Sequence, residues 1–226
     1  MTSSVLYIVP TPIGNMEDIT IRAIDILNAV DLIVSEDTRQ TQKLLNHYGI
    51  DKPQISYRDQ NHHKAYPKIL DALIKGSAVA LVSDSGMPTI SDPGFKLVSS
   101  LIEENIKIEA LPGASAVTTA IAASGLPTDK FSFIGFLPRK ETAAKKMLKT
   151  YGELDCTLIV FESPYRVLKT LTLIDEALQD RKICVAKELS KIHEAYFRGT
   201  VKDVLPQLTT SNLKGEFVIL ISKKGF

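Results

Sequence analysis

Short runs of apolar and β-branched residues recur along the chain: "VLYIVP", "VDLIVS", "AVALVS", "IKIEAL", "FSFIGF", "CTLIVF", "ICVAKE" and "EFVILI". Each has about the length of a buried strand. A second pattern follows most of them. Residues 21–30, 38–48, 64–75, 94–104, 114–124, 142–151 and 164–178 place apolar side chains at mixed three- and four-residue spacing, the period of a helix that buries one face. Strands alternating with helices predict an α/β fold with a largely parallel sheet.

So many strand runs are a high count for one sheet in a chain of 226 residues. A break is offered by "LPGASAVTTAIAASGLPTDK", a small-residue segment bracketed by Pro112-Gly113 and Gly125-Leu126-Pro127. The chain therefore reads as two α/β domains, residues 1–112 and 113–226. Past the break the alternation loosens into adjacent strands, "CVAKE" then "EAYFRGT", which predicts a mixed second sheet. No internal repeat or low-complexity tract interrupts either half.

Composition changes this picture little. Hydrophobic residues make up 44% and charged residues 23%, as in an ordinary soluble enzyme, and no apolar segment has the length of a membrane span. The N-terminal "MTSSVLYIVPTPIG" lacks a basic region followed by a long apolar stretch, so a secretory signal is not expected and a cytoplasmic location is. Cys156 and Cys184 both sit inside apolar runs, where a small buried thiol is the ordinary role, and no disulfide framework is indicated. A net charge of +1 tells against coating nucleic acid by overall charge, while leaving a local basic face open.

Ligands of α/β sheets bind beyond the carboxyl ends of the strands. The longest polar strand-to-helix loops here are "TPIGNMED", "SEDTRQT" and "SDSGMPTISDPG", and they are expected to share one rim. None carries a G-x-G-x-x-G fingerprint, a phosphate loop or a G-x-S-x-G elbow, which removes a Rossmann dehydrogenase, a P-loop nucleotidase and an α/β-hydrolase. His47, His62, His63 and His193 show no pairing signal, and the His62-His63 pair reads as an exposed polar stretch before a helix, without zinc-ligand spacing. What remains is a loop of rigid prolines, permissive glycines and short oxygen-bearing side chains. It suits a ligand with hydroxyls, an ammonium and a carboxylate. Ser91 and Asp92 are explained as a turn and cap for the helix near Gly94, whereas "SDSGMP" lies too far from that helix for a cap.

Seven blocks in order, "YIVPTPIGNMEDITIRAIDILNAVDLIVSEDTRQTQKLL", "VSDSGMPTISDPGFKLV", "ALPGASAVTTAIAASGLP", "FIGFLPRK", "FESPYRVL", "AKELSKIHEAYFRGTV" and "GEFVILI", resemble the tetrapyrrole methylase superfamily over nearly the whole chain. Within it they resemble the branch that acts on small-subunit ribosomal RNA. The resemblance implies two α/β domains of the class III methyltransferase type with S-adenosyl-L-methionine in the cleft between them. It also implies a homodimer that methylates the ribose 2′-oxygen of a cytidine in the decoding centre of 16S rRNA, presented as rRNA or as the small ribosomal subunit. A methylase of the same fold acting on a tetrapyrrole precursor or a protein residue is the alternative enzyme, and a non-catalytic RNA-binding module is the alternative of another class. "SEDTRQT" and "FESPYR" favour the rRNA branch.

Carried over by position, the family's cofactor site falls on Ile13, on Ser83, Asp84, Ser85, Gly86 and Met87, on Ser115 and Ala116, and on Glu162 and Leu189. Each has an ordinary structural reading beside it. Ile13, Met87 and Leu189 are packing residues, Ser115 caps the helix after Gly113, and Glu162 pairs with Arg166 one turn on. Methyl transfer to an alcohol oxygen is an in-line displacement that needs alignment and a proton acceptor. "SEDTRQT" offers Glu36, Asp37 and Arg39, and "AKELSK" offers Lys187 and Glu188. Glu36 or a desolvated Lys187 would take the proton and Arg39 would fix a phosphate, though each is equally a surface charge. Arg139, Lys140, Lys145, Lys146 and Lys149 gather into a basic patch for RNA, with a solvated helix face as the plainer account.

The chain also departs from the family's pattern. Ser85 and Met87 interrupt the usual "SDAGTP", and Ala114 stands where proline is common. Tyr165 stands where histidine is frequent, so no catalytic role is assigned to it. The chain runs five residues past "GEFVILI", where longer relatives carry a small extension, and altered RNA affinity or target choice is expected.

Overall fold

The computed structural model describes residues 4–208 and 213–226, which form two compact units, Met1–Ser115 and Ala116–Phe226. The division falls after Ser115, where the sequence placed it after Pro112.

In the first unit, β1 (Val5–Ile8), α1 (Ile21–Ala29), β2 (Leu32–Ser35), α2 (Thr38–His47), β3 (Gln54–Ser56), α3 (His62–Ile74), β4 (Ala78–Val82), α4 (Phe95–Glu103) and β5 (Lys107–Ala110) alternate. The strands lie in the order β3-β2-β4-β1-β5, and every neighbouring pair is parallel. Both faces are covered. Leu6, Val34, Val79 and Leu81 pack with Ile69 and Leu73 of α3 and Leu97 and Leu101 of α4. Ile33, Ala80 and Val82 point the other way, onto Ala23 and Leu27 of α1 and Leu45 of α2. Burial on both faces explains why these strands read as continuous apolar runs, each large side chain contributing about 1.5–3 kcal/mol.

Right-handed crossovers dictate this sorting of helices. From β1 the chain turns toward β2 through α1, and from the adjacent β4 it turns the opposite way, toward β5 through α4. Adjacent strands whose connections depart to opposite faces make the switch point at which α/β sheets open a ligand crevice. β3 had no counterpart in the sequence pattern. It is a three-residue edge strand, half-buried and polar in part, too short to show a period.

In the second unit, α5 (Ala116–Ser124), β6 (Phe131–Phe136), α6 (Glu141–Gly152), β7 (Thr157–Glu162), α7 (Val167–Ala177), β8 (Lys182–Lys187), β9 (Ala195–Thr200), α8 (Val201–Val204) and β10 (Phe217–Ile221) follow. The sheet order is β6-β7-β10-β8-β9, with β6 and β7 parallel and the other neighbours antiparallel, so the sheet is mixed. Leu158, Val160, Ile183, Val185, Ile219 and Ile221 bury against Ala144 and Leu148 of α6 and Val167, Leu171 and Ile174 of α7, while α5 packs against β8 and β10. α7 begins at Val167, later than the expected residue 164, because residues 163–166 are held in a turn by the side chains described below. Cys156 and Cys184 are buried free thiols, and burial pushes the Cys184 thiol up to about 11. Among the described residues no helix is long and apolar enough to cross a membrane.

Candidate functional site

Beyond the switch point of the first sheet, the β1 and β4 loops are joined by their own main chains. Thr11 N–H donates to Gly86 O at 2.9 Å and Gly86 N–H donates back to Thr11 O at 3.0 Å, an isolated antiparallel bridge. Two hydroxyls reinforce it. Ser83 Oγ donates to Gly86 O at 3.0 Å, and Thr11 Oγ1 donates to Ser83 O at 3.1 Å. Gly86 has φ +80, and a Cβ there would lie 3.1 Å from Ile13 Cγ2, so the tight turn needs glycine both for its left-handed backbone and for the close seat of Ile13.

This geometry divides the cofactor residues expected from the sequence. Ile13 and Ser83 are buried at 7% and 4% exposure and shape the loop, Asp84 and Ser85 are exposed, and Met87 is half-buried. The β2 loop joins the same rim, because Asp37 N–H donates to Asp84 Oδ1 at 3.2 Å. All three loops therefore meet.

Three carboxylates, Glu36, Asp37 and Asp84, crowd this rim, and their surroundings separate them. Asp37 caps α2, accepting from Arg39 N–H at 2.9 Å, and its Oδ2 lies 2.7 Å from Arg39 Nη2. The Arg39 side chain, then its backbone N–H, hold the Asp37 carboxyl well below the usual carboxylate range. Glu36 moves the other way. Burial, then the negative charge of Asp84, push its carboxyl up, with Asp37 adding and Arg58 opposing. A half-buried carboxylate that holds its proton more firmly than usual has the character of a general base. Arg39 keeps an exposed guanidinium while paired to Asp37.

Beside Arg39, an open hollow of about 580 Å3 is lined by Thr38, Arg39, Gln42, Lys52 and Gln54. The sequence reading missed Gln42, Lys52 and Gln54. No motif marks them, since the unforeseen β3 is what carries Gln54 alongside α2.

Behind the rim, Gly94 is the N-cap of α4 at φ +130, so the cap expected from Ser91 and Asp92 falls on glycine, where a Cβ would lie 2.9 Å from Leu81 Cδ2. Gly94 N–H donates to Asp59 Oδ1 at 3.4 Å. Asp59 belongs with Tyr57 and His62, whose Nδ1 lies 2.8 Å from Tyr57 Oη, and the His62 ring stacks on Tyr66. His62 is thus the first residue of α3 and a packed side chain, which corrects its reading as an exposed stretch. Among the described residues, no three His, Cys, Asp or Glu side chains are placed to share a metal ion. Ser115 immediately precedes α5 and Ala116 opens it, so both stand at a helix N-terminus.

The second sheet has its own rim. Glu162 ends β7 and Lys187 ends β8, and both pair with Phe217 at the start of β10, which puts them on one rung of the sheet. Glu162 is 3% exposed; its Oε1 accepts from Ser163 N–H at 2.8 Å and its Oε2 from Thr170 Oγ1 at 2.7 Å. Arg166 stands 3.7 Å from Glu162 Oε2 and donates through Nη2 to Leu137 O at 3.1 Å and Pro138 O at 3.0 Å. The expected ion pair is present, but the closer partners of Glu162 are Ser163 and Thr170, and its carboxylate locks the turn into α7.

Lys187 is 8% exposed, and Leu189 beside it is 5% exposed. Between and after them Glu188 and Ser190 take φ values of +51 and +64, uncommon for residues other than glycine and a mark of a constrained loop. Lys191 holds that loop, with its Nζ 3.0 Å from Glu188 Oε1 and 3.1 Å from Glu216 Oε2. Burial raises the Glu188 carboxyl, yet the Glu216 N–H and Lys191 outweigh it, and the net direction is down.

Of the expected basic patch, Arg139, Lys140, Lys146 and Lys149 are exposed, and no hydrogen bond or ion pair engages their side chains among the described residues. Lys145 differs. It lies 2.5 Å from Glu176 Oε2 and ties α6 to α7, as Lys169 does with Glu141 at 2.6 Å.

Against known proteins, the profile of the Tetrapyrrole (Corrin/Porphyrin) Methylases matches residues 5–205. A ribosomal RNA small subunit methyltransferase I of Hydrogenobaculum sp. (strain Y04AAS1) is 48% identical over 97% of this chain and 96% of its own. The protein of the same name from Thermotoga maritima is 46% identical over 97% and 98%. That of Halalkalibacterium halodurans is 45% identical over 97% of this chain and 76% of its own, longer, chain. Among solved structures, a cobalt precorrin-4 methyltransferase superposes with a TM-score of 0.70 at 21% identity, covering 97% of this chain and 95% of that one. A diphthine synthase superposes with a TM-score of 0.75 at 14% identity, covering 97% and 90%. These two likenesses establish the fold alone. With the profile matching residues 5–205 and full-length relatives near half identity, the chain belongs to the tetrapyrrole methylase family, in its ribosomal RNA small subunit methyltransferase I branch.

Proposed function

We propose that this chain uses S-adenosyl-L-methionine to methylate 16S rRNA, at the ribose 2′-oxygen of a cytidine in the decoding centre. The observation that carries this function is the 48% identity over 96% of a ribosomal RNA small subunit methyltransferase I. The rim of the first sheet fits the methyl donor chemically. Ile13 seated on Gly86 offers an apolar wall, while the exposed Asp84 and Ser85 offer oxygens for hydroxyl or ammonium groups, with Met87 half-buried beside them. Ser115 and Ala116 add a helix N-terminus, which suits a carboxylate. Leu189 and Glu162 keep the roles carried over from the family's pattern within the second unit, where Glu162 acts by holding its turn.

When bound, the donor supplies an electrophilic methyl group on a sulfonium sulfur. The chain's part is to orient the ribose hydroxyl and receive its proton, and Glu36, with its carboxyl pushed up by burial and by Asp84, is the acceptor. Lys187, buried at the end of β8, is the competing acceptor. The exposed guanidinium of Arg39, oriented by Asp37, takes a phosphate, and Arg139, Lys140, Lys146 and Lys149 supply further phosphate contacts. Lys145 serves that patch through its tie to Glu176. The enzyme acts as a homodimer on rRNA or the small subunit; sedimentation of the purified protein checks the assembly.

The test maps 2′-O-methyl groups on small-subunit rRNA from cells with and without the gene. Loss of one decoding-centre methyl group supports the assignment, and an unchanged map removes it. Calorimetry with S-adenosylmethionine and an Asp84→Ala protein checks the donor site, and unaltered affinity would return "SDSGMP" to the status of a turn.

A further inference from the structure

The carboxyl ends of β6 and β7 present two aromatic side chains that the methyl-transfer chemistry does not use. Tyr165 is 96% exposed and Phe136 is 53% exposed. The fold brings together the segments that carry them. Phe136 pairs with Phe161 in the parallel β6-β7 register, and their ring centroids are 5.8 Å apart. Tyr165 lies in the turn that follows, and Arg166 fastens that turn to Leu137 O and Pro138 O. Arg139 and Lys140 come next in the chain and are exposed. The nearby acids are neutralised or enclosed, since Glu141 pairs with Lys169, Glu176 with Lys145, and Glu162 is buried.

A fully exposed tyrosine gains nothing for the fold, because burial of apolar area is what makes an aromatic side chain stabilising. Exposed aromatic faces interleaved with unpaired arginine and lysine are the arrangement by which proteins hold single-stranded nucleic acid: bases stack on the rings and phosphates meet the cations. A paired A-form helix hides its base faces inside the stack and has none to offer such rings.

We propose that Tyr165 and Phe136, with Arg139 and Lys140, form a stacking platform for unpaired nucleotides of the RNA substrate, so that the enzyme takes its target segment as single strand. The proposal rests on the rRNA assignment above and adds the form in which the RNA is held. Arg166 is a positioning residue for the platform, because it binds the turn carrying Tyr165 to the loop carrying Arg139.

The test uses the full chain and a fluorescent oligonucleotide of decoding-centre sequence, read by anisotropy as a single strand and annealed to its complement. The wild-type protein is expected to bind the single strand more tightly than the duplex. Tyr165→Ala is expected to lose about tenfold in single-strand affinity while keeping duplex binding, thermal stability and affinity for S-adenosylmethionine, whereas Tyr165→Phe retains the ring and binds as wild type. Equal binding of the single strand by Tyr165→Ala and wild type would overturn the platform, as would a loss shared by Tyr165→Phe. A defect seen only with assembled small subunits would mean a protein contact, and a shift in oligomeric state would mean a self-association surface; either also overturns it. If the methylation map is lost with the gene and Tyr165→Ala binds normally, the platform alone falls. If the map is unchanged, the rRNA assignment itself falls.

Discussion

The two units build their sheet rims by different means. In the first, all strands run parallel, the ends of β1 and β4 lie side by side, and the loops leaving them pair main chain to main chain at Thr11 and Gly86. In the second, β10 runs antiparallel between β7 and β8, so the loops after those two strands are held apart. Side chains do the joining there: Glu162 with Thr170, Arg166 with the Leu137 and Pro138 carbonyls, and Lys191 with Glu188 and Glu216. A rim joined through backbone leaves side chains such as Asp84 and Ser85 exposed. One made of charged side chains spends them on structure, which is why Asp84 is exposed while Glu162 is enclosed.

The sharpest way to set one unit against the other is to ask which holds the proton acceptor. Glu36→Gln is expected to lower kcat by about 10²–10⁴ with donor affinity kept, and Lys187→Met is expected to do much less. The reverse order would move the base to the second unit. Rate against pH provides a second handle on Glu36. Its carboxyl accepts a proton only when ionised, so activity should fall on acidification at a pH above that of an ordinary glutamate, because the shift is upward. Stability carries the opposite sign. A carboxyl raised in the folded state binds its proton better folded than unfolded, so folding loses stability as pH rises through the folded-state pKa. Glu36→Gln should therefore melt slightly higher than wild type at neutral pH, with the difference vanishing in acid, which thermal unfolding across pH would read.

Next in size are changes that break each rim by its own logic. Gly86→Ala forces a Cβ into a left-handed position against Ile13, with an expected cost of about 1–2 kcal/mol and a weaker donor site, measured by denaturant unfolding and calorimetry. Ala at the neighbouring exposed Ser85 should leave stability within about 0.5 kcal/mol. In the second unit, Thr170→Val removes a donor from a buried carboxylate and is expected to cost about 1–3 kcal/mol without touching the donor site directly. Smallest is the paired reversal of Lys146 and Lys149 to Glu. It should flatten the dependence of RNA affinity on salt and leave S-adenosylmethionine affinity unaltered. The same reversal at Lys145 is expected to cost stability as well, since it places like charges on α6 and α7.

The amino-acid sequence by itself determined the α/β alternation, because strands buried on both faces must be apolar throughout and their helices must be apolar on one side. Its glycines also marked where the β4 loop turns tightly, since Gly86 and Gly94 occupy backbone conformations that other residues rarely adopt. Only the tertiary structure decided which side chains those loops leave exposed. Ser83 and Asp84 are adjacent and equally polar in sequence, yet one hydroxyl is turned inward to Gly86 while the neighbouring carboxylate faces solvent beside Asp37. Nor did any pattern foresee β3 and the hollow it helps line, the packed His62, the Glu176 partner of Lys145, or the exposed face of Tyr165. The physical reason is the same in each case. Periodicity reports which residues a local element must bury, whereas hydrogen bonds and ion pairs between distant positions depend on strand order and crossover direction, which exist only once the sheets have formed.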